Sequence, residues 1–171
     1  KCWRIASDWC WIFDAVARLN SKLEAEGAEF LVLGHLLIEG IVAHKTYTRM
    51  PGYDLIAINP DRNSSARAQV KSRYATDFDG GFLIKRFECD FVVFVALNRG
   101  YRYARLGQDG GKKPPEFYLF PVETVKSALY EKSKWSKAFL RAIPEVDYFR
   151  NNWTIIREFL NSPPNDGLCQ A

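Results

Sequence analysis

The chain carries only two histidines, at 35 and 44, and four cysteines, at 2, 10, 89 and 169. No two cysteines form a CxxC pair and none takes a zinc-ligand spacing with the histidines, so neither a zinc site nor a disulfide framework is expected. The cysteines read as free thiols of a reducing cytoplasm. His35 falls in an apolar helical run and His44 at a strand start; both read as structural. No stretch approaches the roughly eighteen uncharged apolar residues of a membrane span, and the run at residues 9–13 is bracketed by Asp8 and Asp14. The expectation is a cytoplasmic protein with no membrane association and no signal peptide. Neither glycine-containing segment, residues 79–81 or 107–115, matches a phosphate-cradling loop or a dinucleotide fingerprint, so no nucleotide cofactor is expected. Internal repeats and low-complexity linkers are also missing.

What is present is one domain's worth of chain: 171 residues, 47% hydrophobic and 26% charged, the balance of a globular protein with a substantial core. The net charge of +4 is unevenly placed. Residues 1–61 carry six basic against eight acidic side chains, residues 62–113 eleven against five, and residues 114–171 seven against seven. A basic middle third suits a polyanionic partner, and equally a solvated Lys/Arg surface.

Periodicity supplies the elements. Residues 2–19 read as a short amphipathic helix (Trp9, Ile12, Phe13, Val16, Leu19) that packs on the core or on a partner subunit. Ser21 and Glu24 have the capping-box spacing, so a second helix is expected over residues 22–39, ended by Gly40, with Phe30, Leu31, Gly34, Leu37, Ile38 and Ile41 as its buried stripe. Residues 41–47 read as a first strand, 82–87 as a later one, and 91–97 as a central strand buried on both faces. Residues 101–105 alternate like a half-exposed strand, and 117–120 read as the last strand. Helices are expected over 122–132, near 135–142, and over 152–161 with Trp153, Ile156, Phe159 and Leu160 inward. The division is a single domain over 1–171: an N-terminal helical extension (1–20), a core (21–121) and C-terminal helices (122–171).

The organising stretch is residues 51–73. Apolar runs at 55–58 and 66–70 flank seven turn-forming residues, the pattern of a β-hairpin. Gln69 and Lys71, two apart, project from one side of their strand. A hairpin symmetric about its connection puts Asp54 opposite Lys71 and diagonal to Gln69.

Gly52-Tyr53-Asp54, fourteen residues, then Gln69-Val70-Lys71 resembles the core of the PD-(D/E)XK nuclease superfamily, in the Gln-x-Lys variant of Mrr-type restriction enzymes. Tyr53 stands where the motif has Pro, and Gln69 where it has Asp or Glu, which removes a negative charge from the site. The resemblance implies a restriction-endonuclease-like α/β fold, three layers with a mixed, hairpin-rich sheet flanked by helices. It also implies a metal-dependent DNA endonuclease using Mg or Mn. Asp54, the Gln69 side-chain oxygen and the Val70 carbonyl would hold the metal. Lys71 would act on the attacking water or the phosphate. Gly27-Ala28-Glu29 to Val32 is similar to the family's Gly-x-Glu-x-x-Val helix pattern, which points to Glu29 as a further carboxylate; an exposed helix-face glutamate is the alternative. Arg67, Arg73, Lys85 and Arg86 are expected to line a duplex-wide groove, and a homodimer is left open. Two other readings stand beside this one: a catalytically decayed domain that only binds nucleic acid or a protein partner, and a purely structural α/β domain.

Overall fold

The computed structural model describes residues 20–46, 52–102, 110–129 and 136–162. The expected N-terminal helix over 2–19, Pro51, most of the 101–105 strand and the start of the 135–142 helix lie outside these residues. Helix α1 (Ser21–Ile38) is capped by Asn20, whose side chain accepts from the Lys22 backbone, rather than by Ser21. It ends in a Schellman arrangement, Gly40 N–H to Leu37 O and Ile41 N–H to Leu36 O, and Gly40 takes φ +74° there.

Strands β1 (Val42–Lys45), β2 (Leu55–Asn59) and β3 (Ser64–Arg73) form an antiparallel meander. The chain then crosses over through β4 (Gly81–Leu83) to β5 (Phe91–Ala96), which lies parallel to β3; β6 (Glu116–Pro121) closes the sheet antiparallel to β5. The central sheet is therefore five-stranded and mixed, in the order β1-β2-β3-β5-β6. All six β5 residues are buried, as a doubly covered strand requires.

Each face of the sheet has its own core. On one, Ala28, Val32 and Leu36 of α1 join Ala66, Ala68 and Val70 of β3, Ile156 and Leu160 of α3 (Thr154–Asn161) and Trp153 just before that helix. On the other, Val92, Phe94, Tyr118 and Phe120 pack against Phe82, Ile84, Cys89 and Val125, the last from α2 (Val122–Ser127). The observed architecture is the mixed α/β sandwich expected, with helices on both sides.

Several expectations are corrected. Of the stripe proposed for the inner side of α1, Ile41, just past the helix, is buried as expected, but Phe30, Leu31, Leu37 and Ile38 are 39–82% exposed, and the sheet meets Ala28, Val32 and Leu36 instead. Residues 82–87 do not form one strand. β4 is three residues long and pairs with β7 (Lys137–Phe139) in a separate small sheet. The region expected to be helical near 135–142 thus holds a strand and a 3-10 turn (Leu140–Ala142). Phe159 is 44% exposed, resting edge-on against Phe91. Tyr101 and Arg102 lie in irregular backbone.

Candidate functional site

The hairpin connection is a 3-10 turn (Pro60–Arg62) followed by Asn63 in the left-handed region at φ 48°, so pairing resumes at Asn59↔Ser64. The last ladder pair at the other end is Leu55↔Ala68. Continuing that register by one residue sets Asp54 opposite Gln69, with Lys71 diagonal, a shift of two positions along β3 from the symmetric expectation. Directly opposed residues share a face, so Asp54, Gln69 and Lys71 all belong to the side away from Ala68 and Val70.

Asp54 is held at three points. Its N–H donates to Ala68 O (2.9 Å), its carbonyl accepts from the Thr46 N–H (3.0 Å) and hydroxyl (2.9 Å), and its Oδ2 accepts from the Val70 N–H at 2.8 Å. The carboxylate thus takes a β3 amide where β2 begins, which fixes its position against the strand carrying Gln69 and Lys71. Gly52, two residues earlier, makes the approach possible. It adopts φ +98°, and a Cβ there would come within 2.7 Å of Glu88.

Gln69 is 8% exposed, and its Oε1 is a buried side-chain oxygen with no hydrogen-bond partner. Lys71 is half-buried. Burial pushes its ammonium below the ordinary lysine value, while the charges of Asp54 and Glu29 pull it back up. Val70 turns its side chain into the α1 core and contributes its N–H to Asp54.

Glu29 comes from α1 and is close enough to act electrostatically on both Asp54 and Lys71. Burial raises its pKa most, the Lys45 ammonium opposes that, and Asp54 adds to the rise. Its Oε2 lies 2.6 Å from Lys45 Nζ, and the same ammonium also pairs with Glu26. Lys45 is the residue that sequence reading passed over. It projects from β1 on the same side as buried Ala43, its side chain 5% exposed. A lysine at an inward strand position signals a buried acidic partner, and that signal was available.

Among the residues expected to bind nucleic acid, Arg67 is committed to Asp90 through Nε (3.1 Å) and NH2 (3.0 Å), and Arg73 Nε donates to Gly81 O at 2.9 Å. Both stand on the Gln69 and Lys71 side of β3 by strand alternation. Lys85 and Arg86 are exposed in the irregular segment after β4. The segment at 88–90, not singled out from sequence, borders the site: Glu88 abuts Gly52, and buried Cys89 lies near Lys71 and Asp54, its thiol pushed up to about 11 by burial.

A hard divalent cation takes oxygen donors and retains several waters. The Asp54 carboxylate and the unpartnered Gln69 Oε1 across from it suit such an ion, whereas Glu29 is engaged by Lys45. No group of three His, Cys, Asp or Glu side chains among the described residues is placed to hold a metal. No helix among them is long and apolar enough to cross a membrane.

No family model matches the chain, and no curated protein matches it significantly. Solved structures do. The bacterial homing endonuclease I-Ssp6803I is similar over 82% of this chain and 94% of its own, with TM-score 0.50 and 22% identity. The Holliday junction resolvase Hjc of Archaeoglobus fulgidus is matched over 71% of this chain and 88% of its own, with TM-score 0.42 and 16% identity. By the first of these likenesses the chain shares its fold, a five-stranded mixed sheet with flanking helices, with a homing endonuclease.

Proposed function

We propose that the chain is a metal-dependent endonuclease that hydrolyses phosphodiester bonds in DNA. The observation that carries the reading is the buried, unpartnered amide oxygen of Gln69 beside Asp54, with Lys71 on the same face. Native proteins rarely leave such an oxygen unsatisfied, and a bound ion or ligand is a standard reason to keep one. Likeness of fold to a homing endonuclease supports the same class of reaction.

Asp54 and Gln69, with the Val70 carbonyl, would hold Mg or Mn. The chemistry such a cation supplies is a water nucleophile at neutral pH and charge neutralisation on the phosphate. Asp54 stays oriented through the Val70 N–H, so its remaining oxygen keeps a fixed direction. Lys71 brings a partly desolvated ammonium to the phosphate, where low dielectric strengthens its attraction to developing charge. Glu29 supports the charged form of Lys71 from the helix. With Gln69 neutral, the charged oxygen ligands are at most Asp54 and Glu29, so metal binding is weak and assisted by substrate phosphate. Among the basic residues, Arg86 and Lys85 have the exposure to meet a DNA backbone, while Arg67 and Arg73 brace the wall.

One observation favours the binding-only reading: Glu29 is tied to Lys45. Nicking of supercoiled plasmid separates the two. Cleavage should need millimolar Mg or Mn, vanish in EDTA, and be lost in Asp54→Ala and Lys71→Ala. A domain that only binds shows no cleavage with any metal, and cleavage surviving in Lys71→Ala would sink the mechanism.

A further inference from the structure

Helix α1 is apolar on two opposite faces. Ala28, Val32 and Leu36 are buried against the sheet. On the far side Leu23 (64% exposed), Phe30 (49%) and Leu37 (52%) recur every seven residues, with Leu31 (39%) and Ile38 (82%) one step round the helix. At about 100° per residue, the centre of this second stripe lies roughly 180° from the first. A surface helix keeps its outer face polar, and one that is apolar all round is covered on all sides. These side chains present on the order of 500 Å² of apolar surface, the upper end of what a monomer exposes.

The stripe also has relief. Gly27 and Gly34 lie within it, and a Cβ at either would meet nothing within 4 Å. Large residues at 23, 30 and 37 therefore alternate with hollows at 27 and 34. This pattern is self-complementary. Two antiparallel copies related by a two-fold axis near Val32 set Phe30 over the partner's Gly34 and Leu37 over the partner's Gly27. One face of the Phe30 ring already meets the Lys45 ammonium at 4.7 Å, and its outer edge remains open. A stable pair buries about 800 Å² from each partner, and this patch is large enough to form the apolar centre of such an interface.

We infer that the outer face of α1 is the interface of a homodimer, formed by two antiparallel copies of the helix. The inference is independent of the nuclease reading.

Sedimentation or light scattering of the full chain tests it. At about 50 μM the wild type should run at twice the 19.7 kDa chain mass. Gly34→Leu has room in the protomer and improves helix propensity, so its circular dichroism should be unchanged, yet it fills the hollow and should weaken the dimer at least about tenfold. Phe30→Glu with Ile38→Glu should give a folded monomer. A wild type that stays monomeric at that concentration overturns the proposal, including the case in which residues 1–19 cover the face instead. A dimer untouched by Gly34→Leu and by the double glutamate variant overturns it too, because another surface would then hold the pair.

Discussion

Replacing Gln69 by Leu should move stability and activity in opposite directions. The Gln69 amide is 8% exposed, its Oε1 has no partner, and Val92 is its neighbour across the β3–β5 ladder. An unsatisfied buried polar group costs about 1–3 kcal/mol, and an apolar side chain of similar size removes that cost. Allowing for imperfect repacking, the metal-free protein should gain about 1–2 kcal/mol, which for a domain of this size is a rise in Tm of about 2–8 °C. The same substitution deletes a donor for the proposed cation, so divalent-dependent stabilisation and plasmid nicking should be lost. Gaining stability while losing activity is the behaviour of a residue retained at a cost for function. Thermal and urea unfolding in EDTA and in millimolar Mg or Mn, beside the nicking assay, reads both effects. Gln69→Glu is the converse: a buried carboxylate opposite Asp54 should destabilise the protein in EDTA and recover with metal. If Gln69→Leu instead destabilised the metal-free protein by about 1 kcal/mol or more, the amide would already be satisfied in the fold, and the inference from its orphaned oxygen would be refuted.

Gly52→Ala should cost about 1–3 kcal/mol, because φ +98° is strained for alanine and its Cβ would strike Glu88; unfolding midpoints equal to wild type would contradict that. Lys71 is lowered from 10.5 by burial, so between its folded-state value and 10.5 the unfolded chain holds a proton the folded chain has released. Its contribution to stability therefore rises with pH through that window, and the unfolding free energy of wild type minus that of Lys71→Met should rise likewise; a flat difference argues against a desolvated ammonium. Arg86→Ala should weaken binding of a short DNA duplex and reduce the slope of log K against log salt by about 1, as loss of one phosphate contact requires. Arg67→Ala should leave that slope nearly unchanged, since its guanidinium is already spent on Asp90, and equal effects of the two substitutions would remove this distinction.

The hairpin and β5 were legible because their signals are local and strong. Turn-forming residues at 59–65 separate two apolar runs, and residues 91–96 are apolar without interruption. The register was less so, since it depends on whether the connection tightens into a 3-10 turn closed by Asn63 in the left-handed region. That choice moves Asp54 from Lys71 to Gln69 without disturbing the hydrophobic pattern, which fixes only odd or even alignment. Strand β7 was not legible at all. It is three residues long and exists because β4, more than fifty positions earlier, offers it an edge, and no window of sequence contains both.

Helix α1 shows how a single misread rotation bears on chemistry. Periodicity reports that a helix has an apolar face, and here two qualify. The larger residues (Leu23, Phe30, Leu37) make the more conspicuous stripe, but the sheet selects the smaller set, Ala28 and Val32 with Leu36, because β3 presents Ala66, Ala68 and Val70 and the helix settles close upon them. This rotation determines what Glu29 can do. Glu29 is next to Ala28 on the helix, about 60° from the centre of the inward face, and so lies at the margin of the sheet, where Lys45 and Asp54 act on it. Had the conspicuous stripe turned inward, Glu29 would point about 100° away from the core, turned from Asp54 and Lys45. The outward apolar stripe and the inward glutamate are thus two results of one packing choice.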